Sequence, residues 1–163
     1  MKKNLALAAV TLLMFGAAAC GSSSSSPTTP SSATIYTVQL SALNEVPAVT
    51  NAEAGARGTA VVTINSATNQ VGFSVSLNTF PAGSVINVAH IHKAPAGTNA
   101  GVLINTGLTA GSVTLTNGTG TFSFQSVTAA AADVADMIAN PQNYYFNVHS
   151  ALNPGGVIRG QLR

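Results

Sequence analysis

The chain has 163 residues, a formal charge of +2, a pI near 9.0, 6% charged residues and 46% hydrophobic residues. The basic excess sits in Lys2 and Lys3, and without residues 1–19 it disappears, leaving Arg57, Lys93, Arg159 and Arg163 against Glu45, Glu53, Asp133 and Asp136. Four scattered cations cannot form a phosphate-neutralising stripe, which excludes nucleic acid and an electrostatically held membrane surface as partners.

The first segment runs from two lysines through an apolar stretch at 5–15 to Gly16 and Ala17, Ala18 and Ala19. That order of basic, apolar and small residues marks residues 1–19 as a secretory signal. The apolar stretch, about eleven residues, is too short to span a bilayer. Cys20, the one cysteine, follows directly and cannot form an intrachain disulfide. It resembles the acceptor cysteine of bacterial lipoproteins, with Ala17 where a larger aliphatic residue is usual. That resemblance implies a lipid on the Cys20 thiol and an extracytoplasmic, cell-envelope location. Gly21 and Ser22, with no aspartate behind the cysteine, favour the outer membrane or cell surface. Residues 20–33 are almost entirely Ser, Thr, Pro and Gly and form a spacer with nothing to bury. In an oxidising compartment without a disulfide, packing alone must hold the domain at 34–163.

From Thr34 onward the apolar residues recur with period two. Tyr36, Val38 and Leu40 alternate with Thr37, Gln39 and Ser41, and Ala60, Val62 and Ile64 alternate with Val61 and Thr63. Residues 71–77 are the cleanest case, with Val71, Phe73, Val75 and Leu77 on one side and Gly72, Ser74 and Ser76 on the other. Further strands are expected at 86–92, 102–105, 112–116, 121–125, 144–149 and 157–162. Turn residues separate them, including Pro81-Ala82-Gly83, Asn117-Gly118 and Asn153-Pro154-Gly155-Gly156. About nine short strands predict an all-β, antiparallel Greek-key or immunoglobulin-like sandwich or barrel. One helix is expected at 129–139, capped by Thr128 and stopped by Asn140-Pro141, with Val134, Met137 and Ile138 inward and Asp133 and Asp136 on a solvated face.

All three histidines fall in strand candidates. His90 and His92 stand at i and i+2, on one face of a strand, so both imidazoles can reach one metal ion. His149 is the sole candidate for a third ligand, and three neutral imidazoles suit copper best and zinc less well. Structural use is the alternative, with the histidines hydrogen-bonded to nearby loops. No Gly-x-Ser-x-Gly elbow and no phosphate-binding glycine loop is present. Glu45 and Glu53 are expected to anchor the loop 44–58 through Arg57 or Arg159.

Residues 39–49, Gly58-Thr59-Ala60, Ala89-His90-Ile91-His92 with Ala94-Pro95-Ala96-Gly97, Tyr145-Phe146-Asn147-Val148-His149 and residues 153–162 together resemble the CHRD domain, a module named from chordin and also found in bacterial envelope proteins. The resemblance covers about residues 35–163 and implies an immunoglobulin-like sandwich or barrel. Separately, His90-Ile91-His92, a later Val148-His149 and then Gly156-Val157-Ile158 resemble the order of copper/zinc superoxide dismutases, which implies copper ligands at His90, His92 and His149. The chain departs from that pattern: it has no fourth, bridging histidine and no zinc-ligand set, and Arg159 is not at the matching position. Glu45, Asn147, Asn153 and Arg159 are expected to support turns, strand pairing and the surroundings of the histidines. The expected function is a non-enzymatic binding module at the cell surface or in the periplasm, with a copper-binding or dismutase-like metalloprotein as the alternative.

Overall fold

The computed structural model describes residues 32–163, and the signal expected at 1–19, Cys20 and most of the spacer expected at 20–33 lie outside the described residues. Nine strands form one antiparallel sheet that curls into a nearly closed barrel, so the barrel rather than the two-sheet sandwich is realised. In chain order they are β1 (Ala33–Ser41), β2 (Arg57–Asn65), β3 (Gln70–Asn78), β4 (Val85–Lys93), β5 (Val102–Asn105), β6 (Val113–Thr114), β7 (Gly120–Thr128), β8 (Tyr144–Ser150) and β9 (Ile158–Gln161). Their order in the sheet is β5-β4-β8-β9-β1-β2-β3-β7, and the two-residue β6 pairs with β4 while contacting β7, bridging most of the remaining gap.

The period-two pattern dictates which face turns inward. Ala60, Val62 and Ile64 of β2 and Val71, Phe73, Val75 and Leu77 of β3 are all buried, and Phe73 meets Phe146 of β8 with ring centroids 5.6 Å apart. Burying a side chain of this size contributes about 1.5–3 kcal/mol relative to leaving it in water. β8 departs from the pattern because every one of its seven residues is buried. Tyr144, Phe146 and Val148 belong to the barrel core. Tyr145, Asn147 and His149 alternate with them on the opposite face, under the segments 42–56 and 94–101.

The helix α1 (Ala131–Ala139) carries the chain from β7 at one end of the sheet to β8 nearer the other. Val134 and Met137 bury into the core, Ile138 packs against it and Asn140 ends the helix, as the pattern implies. Thr128 does not cap it. β7 continues through Thr128, which pairs with Gln70, so the helix starts two residues later with Ala130 at its N-cap and no side-chain cap. The solvated acidic face is also corrected. Asp136 accepts from Lys93 at 2.7 Å, from Asn140 Nδ2 at 2.7 Å and from the Tyr144 hydroxyl, a set of contacts that holds its carboxyl below the usual range and ties α1 to β4 and β8.

Closure between β1 and β9 depends on glycine. A Cβ at Gly160 would stand 2.2 Å from the Gln39 carbonyl oxygen, so this close backbone approach admits no side chain. We expect Gly160→Ala to destabilise the barrel by about 2–3 kcal/mol through overpacking, checked by urea unfolding followed by circular dichroism; a midpoint equal to wild type would contradict this account of closure.

Candidate metal centre

The site begins with a one-residue irregularity. The register between β4 and β8 shifts between Ile86 and Val88, after which Val88 pairs with His149, His90 with Asn147 and His92 with Tyr145. β9 extends the middle row, because Asn147 also pairs with Arg159. His90, His92, Tyr145, Asn147, His149 and Arg159 therefore share one sheet face, while Ala89, Ile91, Phe146 and Val148 fill the core on the other.

Sequence spacing supplies two histidines, and the register supplies the third. One nitrogen from each of His90, His92 and His149 lies within 4.8 Å of the other two, and the rings are only 5–8% exposed. His90 Nδ1 and His149 Nε2 are 3.3 Å apart. Two ligands at about 2.0–2.1 Å on one tetrahedral ion stand about 3.3 Å apart, so this pair already has ligand spacing.

Backbone carbonyls set the tautomers. His92 Nδ1 lies 3.0 Å from both the Ala100 and Gly101 oxygens, and His149 Nδ1 lies 2.9 Å from the Pro154 oxygen. A carbonyl only accepts, so each Nδ1 carries the proton and each Nε2 keeps its lone pair for the cluster. His92 Nε2 is buried with no hydrogen-bond partner. This arrangement, in which the far nitrogen donates to a carbonyl while the near one faces the centre, is what orients histidines that bind metals. Burial lowers the pKa of all three. His90 falls to about 4, with His149 and His92 adding to the burial effect, and the carbonyls only partly offset burial at His92 and His149. All three rings are neutral at pH 7, the form a metal needs.

The surrounding residues have separate tasks. Tyr145 stacks on His92 with centroids 4.7 Å apart and planes at 10°, and its hydroxyl accepts from the Ala100 N–H at 3.2 Å. The Arg159 guanidinium lies 4.7 Å from the centre of the same Tyr145 ring. It donates to the Asn44 oxygen at 2.6 Å and to Asn99 Oδ1 at 2.7 Å, holding both covering segments to the sheet. Asn153 joins Ser150 in donating to Glu53 Oε2, at 2.6 and 2.5 Å, which fixes the turn whose Pro154 carbonyl orients His149. Gly156 keeps this turn against the site: a Cβ there would stand 2.7 Å from Glu45 Oε2 and 2.8 Å from Asn147 Nδ2.

Several expectations need correction. Neither Glu45 nor Glu53 forms a salt bridge with an arginine, although Arg159 acts on Glu45 at longer range; the salt bridge among the described residues is Lys93–Asp136. Arg57 donates instead to the Gly55 and Ala56 oxygens, and Glu53 is taken by Ser150 and Asn153. Arg159, though out of place for the dismutase pattern, is joined to ligand candidate His92 through the Tyr145 stack. Tyr145 itself escapes the sequence-based candidates, although its period-two position relative to Asn147 and His149 marks the shared face. An open groove of about 530 Å³ touches Glu45, Arg159, Gln39 and Gln161 on the sheet's outer surface, and no histidine lines it.

Glu45 is 7% exposed, and burial pushes its carboxyl up to about 7 against a smaller opposing pull from Arg159. A raised carboxyl contributes stability below its unfolded value of 4.5 and loses it as pH rises through about 7. The histidines act in the opposite sense: their lowered values favour the fold above 6.5 and lose that stability as pH falls toward about 4. The two slopes oppose each other between pH 4.5 and 6.5. Glu45→Gln therefore leaves the histidine slope alone, and unfolding free energies measured from pH 4.5 to 7.5 should rise with pH more steeply in the variant than in wild type. Parallel curves would contradict the buried-carboxyl account.

The CHRD domain family matches residues 36–162. No curated protein and no solved structure matches the chain.

Proposed function

We propose that this chain, which belongs to the CHRD domain family, is a non-enzymatic copper-binding module of the cell envelope, held to a membrane by a lipid on Cys20. The observation that carries the reading is the carbonyl-pinned pair of imidazoles: His92 and His149 each donate from Nδ1 to the backbone, His149 Nε2 lies 3.3 Å from His90 Nδ1, and one nitrogen from each of the three rings falls within 4.8 Å of the others. Hydrogen bonding to loops, the structural alternative, accounts for the outer nitrogens. A His90–His149 hydrogen bond takes up two of the inner nitrogens, and His92 Nε2 remains buried beside them with no partner.

Copper is favoured over zinc by the donor set. Three neutral imidazoles with no thiolate or carboxylate among them suit copper, which stands highest among the first-row divalent ions for nitrogen ligands, whereas structural zinc sites close with four ligands. Burial under two loops supports retention of an ion over turnover of a substrate. The envelope location rests on the order of residues 1–20 and on the polar spacer that follows.

Two measurements test these parts separately. The full-length chain, expressed without a histidine tag, is titrated with Cu(II) and Zn(II). We expect copper to bind more tightly than about 1 μM, with axial type-2 electron paramagnetic resonance, and His92→Ala or His149→Ala to weaken it by about a hundredfold. A wild-type chain that binds neither ion at that concentration overturns the metal reading. For the tether, labelled palmitate supplied to expressing cells should enter the wild-type protein and not Cys20→Ser; equal labelling of the two overturns the lipid anchor.

A further inference from the structure

We infer that Arg159 makes the three-histidine centre select univalent copper, Cu(I), over Cu(II), a specificity that rests on the metal reading above. The argument starts from a buried charge that makes no ion pair: Glu45, the carboxyl that feels it, is pushed up to about 7 by burial against the smaller pull of Arg159, and below that pH it adds no offsetting charge. Arg159 is 2% exposed, and its hydrogen-bond partners are neutral: the Asn44 and Thr98 oxygens and Asn99 Oδ1. Its Nη2 is buried with no partner, and among the described residues it forms no salt bridge within 4.0 Å. A guanidinium has no accessible neutral form, so this charge stays in the fold.

The charge sits on the face that holds the histidines. Arg159 lies over the Tyr145 ring, and that ring stacks on His92. β9 is separated from β4 by β8 alone, and two strand spacings of about 4.8 Å put the guanidinium's strand about 10 Å from the strand of His90 and His92. The three imidazoles add no charge of their own to offset an incoming ion. A divalent ion therefore meets twice the repulsion of a univalent one. At an effective dielectric of about 20 and a range of about 10 Å, one unit of ionic charge changes affinity on the order of tenfold. The imidazole donors are acceptable to both copper states, so charge is what separates them.

The test measures both affinities on the untagged full chain. Cu(I) is competed with bathocuproine disulfonate under anaerobic ascorbate, and Cu(II) with nitrilotriacetate. Arg159→Gln removes the charge and Arg159→Lys keeps it. Asn99→Asp leaves Arg159 in place and sets a carboxylate where the neutral Asn99 Oδ1 now accepts its proton; since Asn99 is exposed, this variant carries the test if Arg159→Gln does not fold. We expect Arg159→Gln and Asn99→Asp each to shift the Cu(I):Cu(II) affinity ratio about tenfold toward Cu(II), with Arg159→Lys within about threefold of wild type. A tenfold shift corresponds to a fall of about 59 mV in the potential of the bound one-electron couple. If wild type binds both states and the Gln and Asp variants leave the ratio unchanged, the metal centre stands and the role of Arg159 is overturned. If wild type binds neither state, the metal reading fails and this inference fails with it.

Discussion

Burial of β8 on both faces is the constraint from which the rest of the molecule follows. One face places Tyr144, Phe146 and Val148 in the barrel core, where removing apolar surface from water drives folding. The opposite face carries Tyr145, Asn147 and His149, polar groups that cost about 1–3 kcal/mol each when buried without a partner. The chain resolves this conflict with main-chain groups from covering loops. The Ala100 N–H meets the Tyr145 hydroxyl, and the Pro154 carbonyl meets His149. Because a carbonyl can only accept, the same contacts that offset desolvation also decide which imidazole nitrogen holds the proton. Covering the strand and setting the histidine tautomers are one event.

Arg159 connects that event to the loops. Its side chain binds the Asn44 and Thr98 oxygens and Asn99 Oδ1, while its own carbonyl accepts from Asn44 Nδ2. Asn99 in turn donates to the Val46 oxygen at 2.7 Å, so one residue of β9 fastens two segments about fifty positions apart and to each other. A lysine, a compact ammonium on a flexible stem, could not span these acceptors with one planar fork. An arginine suited to this geometry brings a permanent charge with it, which ties the mechanical role of the residue to its electrostatic effect on the histidines. Burial favours the neutral imidazole, and Arg159 acts in the same direction at His92.

The strands were legible because alternation and turn residues are local signals. β5 has the expected bounds 102–105, and β3 extends by one residue at each end of 71–77. Local signals fail where pairing decides. Thr128 looks like a helix cap in isolation, but its pairing with Gln70 keeps it in β7. Asp136 looks like one of two solvated carboxylates until Lys93 and Tyr144 arrive from β4 and β8. At the site, i and i+2 spacing was enough to join His90 to His92. Bringing His149 alongside requires the register shift after Ile86, and joining Arg159 to His92 requires the order β4-β8-β9. Neither is written in any short stretch of chain.

The distribution of unsatisfied groups argues that this face is kept for something other than stability. Among the described residues, the buried side-chain atoms without a hydrogen-bond partner are Glu45 Oε1, His92 Nε2, Asn147 Oδ1 and Arg159 Nη2. His92, Asn147 and Arg159 are on the face of β4, β8 and β9, and Glu45 meets Asn147 across the position a Gly156 side chain would fill. A protein interior satisfies most of its polar atoms, and scattered exceptions would reflect imperfect packing. Exceptions collected in one place, beside three imidazoles whose nitrogens gather within 4.8 Å of one another, have a different meaning. An apolar layer of the same volume would cover β8 without leaving any polar atom unpaired and would be at least as stable. The polar layer supplies instead what an apolar one cannot: neutral nitrogen donors, a fixed positive charge and a buried carboxyl on one covered face. Local sacrifice of stability of this kind is where sequence, fold and chemistry are expected to diverge, and here it coincides with the one cluster among the described residues whose geometry could hold an ion.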